Sequence, residues 1–414
     1  MNAPYLPFFS VCRLFALLAV GLAVAAPAAP TNIVTQADKS LTTPAVSAPA
    51  TNAAFDLEAI ERDRILAKAN AALAEEPVTI TKYRGPYSRG GPNDFYTMGD
   101  SWFPDPASTN GMPYKQRPGE VNPENFNAHK KCLWQLQDNV AALAAAYQIT
   151  GKSRYATVAA EWLRVFFIDP STRMNPSLEF AQAVPGVFKG RSLGVSDALP
   201  LVEVAKAVEV LQKSPNFSPE ILEGMKDWAS NYVAWLTVNV GENSDGLSNN
   251  HTLIYWLQVA TFAELIGDQD QVADSRTHYE LFLLPGQINA DGSFNKGGKF
   301  RTYSTAVAQM DDLAVLAQQL STPGDNLWHF KSANDRNVRM AVDYMYPFIE
   351  DRSQWPKLDP QEEGWPGRRV GLLFAGLAYN EPRYIALWKK FPAEPPQDDV
   401  RRYTIATQPI LWVK

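Results

Sequence analysis

Three consecutive residues, Asn249, Asn250 and His251, put two amides and an imidazole ahead of an apolar, aromatic run from Thr252 to Gly267. The Asp245-Gly246 step before them reads as a turn, and Ser248 or Asn249 as a helix N-cap. The triplet therefore falls where a helix leaves N–H groups unpaired and where its dipole favours an anion. His251 and Tyr255 are four apart and share one helical face. Other loops and helix starts add Asn125, His129, Arg191, Arg301 and Tyr303. This mixture suits removal of a proton α to a carboxylate, followed by loss of the β-oxygen. Asn amides and an Arg fork can neutralise the carboxylate. A His or a deprotonated Tyr can take the proton, and a Tyr hydroxyl can protonate the leaving glycosidic oxygen. The substrate implied is a 4-linked uronic acid polymer, cut to leave an unsaturated sugar.

Each residue also has a plainer reading. Asn249, Asn250 and His251 could be a polar cap with a core histidine behind it. His129 could be a capping or core residue, Arg191 a surface cation and Arg301 a salt-bridge partner. Tyr96, Trp102 and Tyr114 could stack on a ligand or pin their loop to the surface. Several familiar patterns are absent: Gly-x-Ser-x-Gly, a phosphate loop and Cys-x-x-Cys. With only four His (129, 251, 278 and 329), a multi-histidine metal site is not expected, and no metal or cofactor is assigned.

The elements that must position these groups are helical. The chain has 414 residues, 46% of them hydrophobic, enough for a large core. A net charge of −6 argues against general nucleic-acid binding but leaves room for a basic cleft. Residues 1–25 read as a secretory signal: Arg13, an apolar run from Leu14 to Ala26, and a small-residue Ala-Val-Ala. That predicts a periplasmic or secreted protein, with no membrane association once the signal is removed. Cys12 lies in the signal, so Cys132 is left alone and reads as a packing residue. Residues 26–54 are rich in Ala, Thr, Pro and Ser and read as a linker. Gly-, Pro- and aromatic-rich loops occupy 77–124 and 168–194.

Between and after the loops, apolar residues recur at helical spacing in paired segments joined by short turns. No strand stands out. The pattern predicts an all-α domain over 55–395, an (α/α) toroid of six or seven helical hairpins, with residues 396–414 packed on it. In such a ring the loops 77–124, 168–194, 244–251 and 285–303 would line one cleft.

Several motifs in order carry a resemblance: Asp94-Phe-Tyr-Thr-Met-Gly-Asp-Ser-Trp-Phe-Pro-Asp-Pro, Asn122-Pro-Glu-Asn-Phe-Asn-Ala-His, Asn249-Asn-His, Gln287-Ile-Asn-Ala-Asp-Gly-Ser-Phe and Arg301-Thr. Over residues 80–350 the sequence resembles the alginate lyase superfamily, most similar to lyases of glucuronan or alginate, whose catalytic domain is an (α/α) toroid. The resemblance implies Asn250 and Arg301 as carboxylate neutralisers, His251 as base and a Tyr near Arg301 as acid. In relatives that Tyr lies six or seven residues after the Arg. Here Val307 and Ala308 stand there, and Tyr303 is the nearby tyrosine. Tyr96, Trp102, His129, Arg191, Asn249 and Tyr255 complete the expected substrate contacts. Two other outcomes compete: a glycoside hydrolase on the same scaffold, which needs two facing carboxylates, and a polymer-binding protein without catalysis.

Overall fold

Caps and apolar spacing decide where each helix begins. In the computed structural model, which describes residues 55–240, 250–294, 302–356, 367–394 and 404–413, Asp56 accepts from the Ala59 N–H and opens α1 (Leu57–Ala72). The expected signal and linker lie outside the described residues. α2 (Ala128–Thr150) stops at Gly151, whose φ of 65° is the left-handed cap that glycine adopts without strain. α3 (Ser153–Leu163) runs into a wide π turn at Arg164–Ile168. α4 (Pro200–Leu211) and α5 (Pro219–Asn239) both start at proline, and Ser218 caps α5. α6 (Asn250–Ile266) follows. α7 (Gln269–His278), capped by Asp268, passes through a second π turn into the short α8 (Leu284–Gln287). Thr302 caps α9 (Tyr303–Leu320) and Asn337 caps α10 (Val338–Glu350). α11 (Val370–Ala378) and α12 (Pro382–Lys390) complete the set.

Burial divides these helices into two layers. α4, α6, α9 and α11 are buried nearly all round, and α2 over most of its length. The others bury one stripe; α7 buries only Ser275. α2 packs on α4, α4 on α6, α6 on α9 and α9 on α11. Outside that row, α1 and α3 flank α2, α5 flanks α6, α7 flanks α6 and α9, and α10 and α12 flank α11. A run of buried alanines, Ala141, Ala142 and 144–146, lets α2 take neighbours on several sides. This is the (α/α) toroid expected from periodicity. The described residues supply five outer–inner pairs and α12.

Outer and inner helices alternate along the chain, so the inner ones run the same way. Their N-terminal ends share one rim. On that rim β1 (Tyr96–Met98) pairs in parallel with β4 (Phe180–Ala183), and β2 (Trp102–Phe103) pairs antiparallel with β3 (Lys115–Gln116). At two to four residues, none is long enough to show an alternating pattern in sequence.

The two ends of the array are tied by polar groups on α1 and beside α11 and α12. Arg64 on α1 pairs with Glu61 at 2.6 Å and with Glu394 at 2.9 Å. Lys68 also reaches Glu394, and Arg368 reaches Glu61. Residues 404–413 run through this seam as a strap. Arg64 donates to the Thr407 carbonyl at 3.0 Å, and Gln318 on α9 to the Trp412 carbonyl at 2.9 Å. The buried Glu203 carboxylate on α4 accepts from the Thr407 N–H and hydroxyl, the Gln408 N–H and the Gln137 amide.

Candidate active site

At the rim, Thr97 on β1 donates its hydroxyl to the Asp197 carboxylate at 2.6 Å and accepts from the Gln182 N–H at 2.7 Å. Gln182 on β4 then reaches both charged neighbours. Its amide donates to Asp197 at 2.9 Å and its side-chain oxygen accepts from Arg191 Nη2 at 3.1 Å. Its backbone carbonyl accepts from Arg191 Nε at 2.9 Å. Four hydrogen-bonding groups of one residue are thus committed, and the backbone pays with a φ of +55°, a region that a non-glycine residue seldom occupies.

Lys130, in the first turn of α2, completes the polar floor. Its ammonium lies 2.9 Å from Asp100 and 3.5 Å from Asp197. The loop carrying Arg191 lies flat against β4 because Gly190 has no side chain; a Cβ there would sit 2.0 Å from the Glu179 carbonyl. Gly99 gives the guanidinium room in the same way, since a Cβ would lie 2.6 Å from Arg191 Nη2. The guanidinium faces the Trp102 ring at 5.9 Å, within cation–π range.

His251 stands in the first turn of α6, near enough for the charges of Asp197 and Arg191 to act on it. Burial pulls its imidazole below the ordinary 6.5, the Asp197 charge works against that, and the Arg191 charge adds to it. The ring is therefore neutral at neutral pH, as a proton acceptor must be. Arg191 is half-buried, and burial lowers its pKa against the opposing charges of Asp197 and Asp100. A guanidinium keeps its charge throughout the working pH range. The site thus sets a cation that can grip a carboxylate beside an imidazole that can take a proton.

The family model for alginate lyase matches residues 79–355. The chain belongs to the alginate lyase family. It is a polysaccharide lyase. A crystal structure of an alginate lyase from Bacteroides ovatus is 26% identical, covers 84% of this chain and 93% of its own, and superposes with a TM-score of 0.70. Alginate lyase A1-III from Sphingomonas species A1 is 16% identical over 84% of this chain and 89% of its own, with a TM-score of 0.50, a likeness of fold. No curated protein matches the chain.

In this member of the alginate lyase family, the residues singled out from sequence separate into three groups. His251, Asn250, Arg191 and Trp102 belong to one rim: Asn250 opens α6, and Trp102 is partly exposed beside Arg191. Asn249 and Arg301 lie outside the described residues. The remaining four are internal. Tyr96 is 1% exposed and packs on Phe126, so it offers no face for a sugar. His129 has both ring nitrogens engaged: Nδ1 accepts from the Tyr96 N–H at 3.0 Å, and Nε2 donates to the Tyr83 carbonyl at 3.1 Å. That makes it a structural histidine rather than a substrate contact. Tyr255 is buried against Trp256, and burial and the Asp274 charge push its hydroxyl up to about 12. Tyr303 opens α9, 4% exposed, with its ring between Trp355 at 5.7 Å and the Arg352 guanidinium at 5.1 Å.

Sequence reasoning missed Lys130, Gln182 and Asp197. Asp197, just ahead of the proline that starts α4, could have been found as an acid at a helix start. Nothing in the local sequence marks Gln182, because its importance comes from a backbone conformation.

Proposed function

We propose that the protein is an exported lyase of alginate-type polyuronates, working by β-elimination. The observation that carries this reading is the neutral His251 imidazole beside the Arg191 guanidinium on the rim of a toroid of this family. The substrate carboxylate docks on Arg191, with Asn250 and Arg301 as further donors. Neutralised in this way, the carboxylate delocalises the charge that forms when His251 takes the C5 proton. The C4–O bond then breaks, a C4=C5 double bond forms, and the departing oxygen takes a proton from an acid. No water is consumed.

Tyr303 is the acid in this scheme: its ring is buried between Trp355 and Arg352, but it opens α9, an inner helix whose first turn lies at the rim. It lies four residues before Val307, so the two share one face of α9 about one turn apart, about 6 Å along the axis. A tyrosine one turn nearer the helix start can serve the position where relatives carry theirs. The name carried by the Bacteroides ovatus structure, alike over most of both chains, favours alginate over glucuronan. Export rests on the signal-like residues 1–25.

The test is to incubate the purified protein separately with polymannuronate, polyguluronate and glucuronan in the presence of chelator. The ultraviolet absorbance of the conjugated double bond is followed. A rise with either alginate polymer is expected. Reducing ends without absorbance would indicate a hydrolase. Binding without either product would leave a polymer-binding protein and overturn the lyase reading.

A further inference from the structure

We propose that Asp197 and Gln182 are positioning residues for the reaction: Asp197 is the counter-charge to the His251 imidazole, and Gln182 fixes the separation of Asp197 from Arg191. This rests on the reading of His251 as base and Arg191 as carboxylate binder. The geometry carries it. One side chain, Gln182, bonds Asp197 through its nitrogen and Arg191 through its oxygen, at 2.9 and 3.1 Å. It therefore acts as a spacer between the anion and the cation whose charges act on His251. Thr97 locks the same unit from below through Asp197 and the Gln182 N–H. The unit is almost wholly buried, with Asp197 and Gln182 both under a tenth exposed. In its left-handed conformation Gln182 presents its carbonyl and its side-chain oxygen to the same guanidinium.

Asp197 and Arg191 act on the ring with opposite sign. Behind them stand Lys130 and Asp100, paired with each other. The other helices packed against α6 bring little charge to its start. α6 itself has none before Glu264, α5 has none after Asp227, α9 has none before Asp311, and Asp274 of α7 acts on Tyr255; α4 engages Glu203 with the strap and Lys206 with Glu209, and Lys130 lies 3.5 Å from Asp197. Burial lowers the His251 pKa most, the opposed charges of Asp197 and Arg191 adjust it, and Gln182 holds those two charges in place.

The experiment reads the imidazoles directly. The protein has four histidines, so nuclear magnetic resonance of histidine-labelled protein resolves His251 by its loss in His251→Ala. Asp197→Asn is expected to move the His251 titration to lower pH, and Arg191→Gln to move it to higher pH. The acidic limb of kcat/KM moves with each. Gln182→Gly keeps the unusual backbone at no steric cost but removes both side-chain bonds. It is expected to melt within a few degrees of wild type while KM rises several-fold, and Gln182→Asn, which also tolerates the left-handed region, restores part of the loss. Shifts of the same sign in Asp197→Asn and Arg191→Gln, or no shift, would overturn the proposal. So would a Gln182→Gly protein whose only defect is a large fall in melting temperature. Because the titration needs no turnover, it still answers if no polyuronate is cleaved, and failure of the lyase reading stays separate from failure of this one.

Discussion

Two histidines stand in the first turns of inner helices, and their partners give them different work. His129 is closed on both nitrogens by backbone groups, whereas the charges of Asp197 and Arg191 act on the His251 ring. Replacing His251 by Ala is expected to lower kcat/KM roughly 10²- to 10⁴-fold, the usual worth of a positioned base, with the melting temperature little changed. Since burial holds that imidazole below 6.5, the acidic limb of the pH profile should fall below 6.5 as well. Replacing His129 by Ala should do the reverse. It strands the Tyr96 N–H and the Tyr83 carbonyl and should cost about 1–3 kcal/mol in denaturant unfolding, with KM unchanged for the folded protein. Burial also lowers the His129 pKa. The unfolded chain therefore binds its proton first as pH falls, so this contribution to stability is whole above 6.5 and shrinks as pH drops below it. Residue types and spacing made His251 and Arg191 legible in the sequence. They could not separate an exposed tyrosine from a buried one, and Tyr96 and Tyr255 fell on the wrong side because aromatic residues serve cores and sugars alike.

At the scale of elements, helices were legible because caps and the 3.6-residue period are local signals. Asp56, Ser218, Asp268, Thr302 and Asn337 each cap with a side-chain oxygen. The short strands were not, since β1 and β4 pair across more than eighty residues and each is too brief to alternate. The strap at 404–413 was legible only as a segment packed on the domain. Its depth depends on Glu203, more than two hundred residues earlier, which takes four hydrogen bonds without exposure. Glu203→Gln is expected to destabilise by about 1–3 kcal/mol in chemical unfolding, because an amide N–H₂ would then face donors where an acceptor is needed. Activity per folded molecule should survive, as Glu203 is remote from the rim residues in the hydrogen-bond network.

Taken whole, the molecule sets the N-terminal ends of its inner helices at one rim. Each end contributes a partial positive charge, while the full charges of Lys130 and Arg191 are offset by Asp100 and Asp197 beside them. A protein of net charge −6 can thus present a locally positive cleft to a polyanion. Raising the ionic strength should increase KM for a polyuronate while leaving kcat nearly level, since screening at about 10 Å in 0.1 M salt weakens long-range capture more than contacts already made. Initial-rate measurements across a salt series check this. The alternation of outer and inner helices that produces this polarity was readable from paired segments; the seam was not, since it is made of ion pairs between distant parts of the chain.

That seam also bears on the order in which the molecule can assemble. The strap follows the twelve helices of the described residues, and its bond from Arg64 to Thr407 joins residues 343 apart in sequence. Helical hairpins can dock as they emerge from synthesis, each on the one before, but the Glu203 carboxylate has three of its four hydrogen bonds only when the strap arrives. Contacts this distant form slowly. The chain therefore stays an open row of hairpins until its final step, and the ring closes as a latch rather than growing shut.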